Sequence, residues 1–470
     1  MILKKFYLKC LSHGSYFLAD EKSREAAIID PQRDVDQYLE ILKKEKFTLK
    51  FILETHVHAD FISGHWDLAN ETGAQVVFGV NTLAKRPFRK VKDGDELMLG
   101  TSVSIRVLET PGHTPESVCY LAQNLEDPTS IPALFSGDTL FVGDVGRPDL
   151  LGSKMPAEEL ASMLYDTLEN KIKTLSDETR VYPAHGAGSA CGKKIGDAEF
   201  TTIGAEKLTN DAMQATNRKD FIKLVTSDLP IAPGYFSEDV RLNLEGMGSL
   251  SESIKKIPAL TPEAVEAGMA NGAIVLDTRG AEPFAAGSIA GAVNIGLEGQ
   301  FAPWLGTLFP STTSFILLTE EGLEEESAIH CGRIGYENIL GFVKEGVSAW
   351  LTSGRKLVCT RRLEPSEMTS PKTENSIILD VRNPGETDLG VIPGAVLIPL
   401  NRLLDDVNTI DKQRPIQVYC ASGYRSSIAL SLLRRIGYKE VNDLAGGMLA
   451  YRKSGLPIEA KLSAKITTVQ

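Results

Sequence analysis

The chain has 470 residues, of which 42% are hydrophobic and 24% charged, and a net charge of −12. That length exceeds one ordinary core and predicts two to four domains, each of the composition of a soluble globular protein. An acidic balance without clustered basic residues argues against nucleic-acid or membrane-surface binding, and no apolar run reaches transmembrane length. The opening residues Met1 to Phe6 alternate with polar side chains instead of building a signal-peptide core, and read as the first strand of a cytoplasmic protein. Six cysteines, at 10, 119, 191, 331, 359 and 420, lack CxxC spacing, so neither a disulfide framework nor a structural zinc site is expected. Six of the seven histidines lie at or before His185, which places imidazole chemistry early in the chain.

Short β-type runs recur over the first 245 residues, among them Ala26 to Asp30, Gln75 to Phe78 and Val103 to Val107. Val35 to Lys44 and Ala157 to Leu168 carry apolar residues at helical spacing. Together they predict an αββα sandwich whose loops converge on one edge. Just after the apolar Phe51-Ile52-Leu53 comes Thr-His-Val-His-Ala-Asp-Phe-Ile-Ser-Gly-His, residues 55 to 65. His56, His58 and Asp60 alternate there, so in extended chain they share one face and look like a metal site. A Gly/Pro turn adds His113 in Pro-Gly-His-Thr-Pro, the apolar Ala133-Leu134-Phe135 leads into Ser-Gly-Asp138-Thr-Leu, and Tyr182-Pro183-Ala184 leads to His185-Gly186.

HxHxD, PGHTP, SGDTLF and YPAHG in that order resemble the metallo-β-lactamase fold over roughly the first half of the chain, residues 1–245. Within it, THxHADF, PGHTPES, SGDTLFVGDVGRPDL and YPAHGAG are similar to the persulfide dioxygenases. Dinuclear hydrolases of the fold carry HxHxDH, whereas this chain has Phe61 at the last position, and a phenyl ring has no lone pair for a metal. The resemblance therefore implies one mononuclear Fe(II) per chain, held by His56, His113 and Asp138, with open positions for O2 and a substrate sulfur. His58, Asp60 and His185 become pocket residues that orient those ligands or a water. His65 is either a further pocket residue or a satisfied histidine on a helix face. Arg147 either forks onto a substrate carboxylate or forms an internal ion pair with Asp149 or Asp144. Cys191, in a Gly-rich stretch before Lys193 and Lys194, reads as an exposed, acidified thiol facing the iron and resembling fused dioxygenase-sulfurtransferases; the alternative is a buried hydrophobe.

An internal repeat follows. Ala273 to Arg279 and Ser376 to Arg382 both end in LDxR, each precedes a GxIxGA-like stretch, and Arg333-Ile-Gly-Tyr matches Arg435-Ile-Gly-Tyr. A period near one hundred residues signals duplicated domains, placed at 255–355 and 363–465, with Pro230 to Ser253 and Arg361 to Lys372 as connectors. Strands alternating with helices predict α/β domains with parallel sheets. LDxR, GxIxGA and, in the second copy, Cys420-Ala-Ser-Gly-Tyr-Arg-Ser resemble the rhodanese fold. The physics is intelligible: a loop running from a strand end into a helix aims backbone N–H groups at the Cys420 sulfur. Arg425 adds positive charge for an anionic acceptor, with Ser422 and Gly423 as substrate-binding positions. The first copy has Thr319-Glu-Glu-Gly in that place and no cysteine, so it reads as degenerate.

The expected fold class is thus α/β and α+β multidomain, a metallo-β-lactamase sandwich followed by two rhodanese-like domains. The expected function is oxidation of a low-molecular-weight persulfide by O2 to sulfite, then transfer of sulfane sulfur through Cys420 to sulfite, giving thiosulfate, in a homo-oligomer. Two rivals stand beside it: a zinc-dependent thioester hydrolase of the glyoxalase II kind, and a rhodanese pair that only docks or binds sulfur.

Overall fold

Strand residues at odd and even positions of the first unit point to different cores, and that alternation builds its four layers. In the computed structural model, which describes residues 1–460 except Pro128, Asp228, Pro230, Ile231 and 369–374, two six-stranded sheets stack face to face. One runs in the order Ile2–Leu8, His13–Ala19, Glu25–Ile29, Thr48–Leu53, Gln75–Gly79, Arg89–Val91. The other runs Thr201–Thr202, Arg180–Pro183, Ala133–Gly137, Val118–Asn124, Val103–Glu109, Glu96–Leu99. Tyr16, Leu18, Ala27, Ile29, Phe51 and Leu53 meet Val103, Ile105, Val107, Tyr120 and Phe135 between the sheets. Their neighbours Phe17, Ala19, Ala26, Ile28 and Ile52 face outward, where Tyr38 and Leu42 of helix Asp36–Glu45 and Leu68 of helix His65–Thr72 cover them. Helix Ala157–Thr167 covers the second sheet through Ala161 and Leu164. This is the αββα sandwich expected from the runs of residues, with each strand and helix within a residue or two of its expected span.

Among the described residues, the first unit comprises residues 1–255 with Cys331–Gly335, and the second comprises 256–330 with 336–460. The stretch expected to be a connector, Pro230 to Ser253, carries helix Phe236–Glu245 and runs into helix Leu250–Lys255. Pro230, residues 369–372 of the second connector and 461–465 of the last expected domain lie outside the described residues.

The second unit holds two five-stranded parallel sheets of the same topology. One is Ala259–Leu260, Ile339–Val343, Phe315–Leu318, Ile274–Asp277, Val293–Asn294; the other is Arg362–Leu363, Val441–Leu444, Ile416–Tyr419, Ile377–Asp380, Val396–Leu397. The LDxR repeat acquires a physical meaning here. Arg279 forks onto Asp277 at 2.9 and 2.6 Å and donates to the Gly287 carbonyl at 2.9 Å. Arg382 does the same with Asp380 at 2.9 and 2.6 Å and with the Gly390 carbonyl at 2.8 Å. A buried ion pair survives because carboxylate and carbonyl together satisfy the guanidinium, and it ties each strand end to the loop that follows.

Candidate metal centre and cysteine loop

Three loops at the strand ends of the sandwich bring His56, His113 and Asp138 together, with one nitrogen or oxygen from each within 4.8 Å of the others. The hydrogen bonds behind them fix which atoms face inward. Asp30, closing strand Glu25–Ile29, accepts from the Thr55 N–H at 2.8 Å and from the Thr55 hydroxyl at 2.9 Å. That hydroxyl, its proton committed to Asp30, accepts from His56 Nδ1 at 3.0 Å and leaves Nε2 bare. His113 Nδ1 donates to the Arg147 carbonyl at 2.8 Å, which bares its Nε2 as well. The two Nε2 atoms lie 3.9 and 3.4 Å from Asp138 Oδ2. Burial first, then the neighbouring imidazoles, hold the His56 pKa well below its usual value, so the ring is neutral, the form that binds metals. Gly146 permits this packing: a Cβ there would lie 2.0 Å from the Asp138 carbonyl.

A second triad, His58, Asp60 and His185, lies alongside, also within 4.8 Å. His185 Nε2 sits 3.5 Å from both Asp60 Oδ2 and Asp138 Oδ1. His58 turns Nε2 toward Asp30 and Glu54, at 3.2 and 3.3 Å. Burial alone would lower its pKa, but those two carboxylates hold it well above the usual value. Glu54 is the reciprocal case: burial would raise it, yet His65 and His58 bring it to about 2. His65 begins a helix with Nδ1 3.1 Å from Glu54, while its Nε2 is buried without a hydrogen-bond partner.

The fit to a metal rests on atoms left without partners. Both oxygens of Asp138, one of Asp60, both nitrogens of His185 and Nδ1 of His58 are buried and make no hydrogen bond. Orphaned buried polar atoms cost about 1–3 kcal/mol each, and a bound ion relieves that cost.

One open reading is resolved and one expectation is overturned. Arg147 is buried and forks onto Asp149 at 2.7 and 2.7 Å, with Nη1 donating to the Ala190 carbonyl at 3.2 Å. The internal ion pair is the arrangement observed, and the guanidinium shapes this loop instead of reaching for a substrate carboxylate. Cys191 lies within 4.8 Å of Asp138 and His185, but it is 1% exposed. It is neither exposed nor acidified: burial, then the Asp60 and Asp138 carboxylates, push its thiol well up. The reason is that the Lys193 and Lys194 backbone N–H groups cap Asp144 at 2.6 and 2.7 Å, drawing the loop inward, while the Lys193 side chain donates to the Leu224 carbonyl.

Several site residues carry no motif. His13, fully buried with neither ring nitrogen hydrogen-bonded, packs 4.1 Å from Phe61 and pairs through backbone with His185. Helix Phe236–Glu245 braces the metal loop. Asn243 donates to the His58 and Phe61 carbonyls at 2.8 Å each and accepts from the Ser63 N–H at 2.8 Å, while Tyr235 donates to the Asp60 carbonyl at 3.3 Å. Asn243→Ala is expected to cost about 3 kcal/mol, because it strands three buried backbone groups. Denaturant unfolding measures it, and a loss below about 0.5 kcal/mol would mean that the helix is not the brace.

In the second unit, strand Ile416–Tyr419 delivers Cys420 to a loop that enters helix Tyr424–Arg435. Gly423, at φ 102°, aims its N–H at Cys420 Sγ at 3.1 Å, and Ser426 Oγ lies 3.7 Å from the sulfur. Ser422 is exposed at the loop tip. Arg425 pairs with Glu386 at 2.6 and 2.6 Å, so its charge faces a carboxylate of the same domain. In the first repeat the equivalent turn presents exposed Glu320 and Glu321 and no sulfur.

Fold and site together define an αββα domain with a candidate metal centre, joined to two parallel-sheet α/β domains of which the second presents a cysteine loop. The Metallo-beta-lactamase superfamily profile matches residues 10–185, and the Rhodanese-like domain profile matches 261–353 and 364–454. The chain belongs to the metallo-beta-lactamase superfamily. It is 31% identical over 249 residues to the cytoplasmic hydroxyacylglutathione hydrolase of Arabidopsis thaliana, covering 51% of this chain and 86% of that one. A solved metallo-beta-lactamase from Staphylococcus aureus subsp. aureus COL is 34% identical, with TM-score 0.65 over 73% of this chain and 98% of that chain. A solved ETHE1 from Myxococcus xanthus is 33% identical, covering 52% of this chain and 98% of that chain, at TM-score 0.45.

Proposed function

We propose that the first unit oxidises a low-molecular-weight persulfide at one ferrous ion, and that Cys420 then transfers sulfane sulfur to the sulfite produced. The first reaction balances as RSSH + O2 + H2O giving RSH, sulfite and two protons. In the second, the Cys420 thiolate attacks the outer sulfur of another RSSH and releases RSH. Sulfite then attacks the outer sulfur of the Cys420 persulfide, forming thiosulfate and restoring the thiolate.

The observation that carries this reading is the His56, His113 and Asp138 triad, its two imidazoles bonded through Nδ1 and both Asp138 oxygens unpartnered, beside Phe61 where a further imidazole would stand. Two imidazoles and a carboxylate on one face suit Fe(II). A ferrous ion held there would supply the redox centre through which dioxygen is activated toward the persulfide sulfur. The chain's own residues do the rest. Thr55 and the Arg147 carbonyl fix the two imidazole tautomers, Asp60 and His185 border the substrate space, and Phe61 excludes water from it. Cys191 borders the same space as a thiol that burial and the neighbouring carboxylates keep protonated, so it lines the pocket and sulfur transfer is left to Cys420. In the second unit the Gly423 N–H stabilises charge on the Cys420 sulfur, and Ser422 and Gly423 line the approach for persulfide and sulfite. Tethering raises the effective concentration of sulfite at its acceptor. Six free cysteines suit the reducing cytoplasm in which we place the protein.

Anaerobic purification, metal quantification and oxygen uptake with glutathione, coenzyme A and cysteine persulfides test the reading. About one iron per chain with persulfide-dependent uptake is expected. Two zincs per chain with hydrolysis of acylglutathione would instead establish the thioester hydrolase, the reading favoured by the hydroxyacylglutathione hydrolase relatives and by the second triad.

A further inference from the structure

The first rhodanese repeat keeps its fold without a cysteine, and its contacts within the second unit indicate what it does. Helix Tyr424–Arg435 begins at the Cys420 loop and carries Tyr424, Ser427, Ser431 and Arg435 at positions i, i+3, i+7 and i+11, one face of a helix. All four bond to a single short stretch of the first repeat. Tyr424 donates its hydroxyl to the Gly296 carbonyl at 2.8 Å, and Ser427 donates to Asn294 Oδ1 at 2.5 Å. Ser431 Oγ accepts from the Asn294 N–H at 3.1 Å, and Arg435 donates to the Gly291 carbonyl at 3.0 Å. Asn294 is itself held, because its Nδ2 donates to the Asp277 and Arg279 carbonyls at 3.0 and 2.7 Å. Asn294, Ser427 and Ser431 are all buried. A helix face that packs through hydroxyls and a carboxamide is fixed in register more sharply than one packed through leucines, since a slip leaves buried polar groups unpaired.

The register matters because the first turn of that helix supports the sulfur cradle. Gly423 precedes Tyr424 directly, and the Ser427 N–H donates back to the Gly423 carbonyl at 3.3 Å. We propose that the first rhodanese repeat is a positioning element for the Cys420 loop, with Asn294 as its pivotal residue, acting through Ser427 on the Gly423 N–H that meets the sulfur. Asn294 does not touch the sulfur. This role rests on the reading of Cys420 as the carrier of sulfane sulfur.

The test uses the full chain and the variants Asn294→Ala, Ser427→Ala and Ser427→Thr. Three quantities are read: oxygen uptake with glutathione persulfide, cyanolysis of sulfur loaded from that persulfide, and the pH midpoint of Cys420 alkylation by iodoacetamide. Asn294→Ala and Ser427→Ala are expected to keep oxygen uptake within about twofold of the parent, to lose about tenfold in kcat for cyanolysis, and to move the alkylation midpoint upward. Ser427→Thr, which keeps the hydroxyl, is expected to restore both. Should Asn294→Ala fail to fold, Ser427→Ala, which deletes one hydroxyl, decides alone. Cyanolysis and an alkylation midpoint equal to the parent's in Ser427→Ala would overturn the proposal. If the parent carries no cyanolysable sulfur, the transferase reading falls, while the alkylation midpoint still decides whether the repeat positions the loop.

Discussion

Cys420→Ser is expected to leave oxygen consumption unchanged within about twofold while sulfite replaces thiosulfate as the product. Serine is close to isosteric with cysteine, and the Gly423 N–H that donates to Sγ at 3.1 Å can donate to an oxygen instead, so the buried loop keeps its shape. What is lost is chemistry: a serine hydroxyl is un-ionised at neutral pH and forms no bond to sulfane sulfur that sulfite can break. The enzymatic rate of thiosulfate formation, after subtraction of the spontaneous reaction of sulfite with persulfide, should fall by at least about tenfold. Product analysis by thiol labelling and chromatography separates the two anions. Thiosulfate formed at the parent's rate would remove Cys420 from the mechanism and leave the second unit as a docking module.

The parts legible in the sequence are those where a local pattern and its three-dimensional consequence coincide. Ala26 to Asp30 reads as a strand because every residue is buried on one face or the other, and His56, His113 and Asp138 are visible because each lies in a loop just past a strand, inside a recognisable string. What could not be read depends on partners distant in the chain. Asp30 orients His56 only because Thr55 stands between them, and a lone aspartate at the end of an apolar run carries no such message. Asn243 and Tyr235 brace the metal loop from a segment rich in Gly and Pro that reads as a linker. His13 enters the cleft through a bridge to His185, a pairing with no signature in either flanking sequence. Cys191 misled in the opposite direction: glycines and two lysines suggest an open, basic loop, but the backbone spends its N–H groups on Asp144 and buries the thiol. Arg147 stood between two readings that differ only in which carboxylate it meets, and Asp149 is two residues away.

Phe61→His is expected to raise the metal capacity of the chain from one ion to two. Phe61 is 1% exposed, follows Asp60 directly, and lies 4.5 Å from the His58 ring and 4.1 Å from the His13 ring. An imidazole is smaller than a phenyl ring, so the substitution brings no overpacking, but it places two more polar atoms in a pocket that already holds unpartnered nitrogens of His13, His58 and His185. The metal-stripped variant should therefore melt below the stripped parent. Ligand linkage then gives the sign for the loaded form: a second ion bound by the native state alone stabilises by RT ln(1 + [M]/Kd), so added zinc should raise the variant's melting temperature by more than the parent's. Titration calorimetry would give a stoichiometry near two for the variant and near one for the parent, with persulfide-dependent oxygen uptake reduced as the second ion crowds the substrate space. A parent that already binds two ions with equal affinity would show that the second triad needs no imidazole at position 61, and the single-ion reading of the cleft would fall with it.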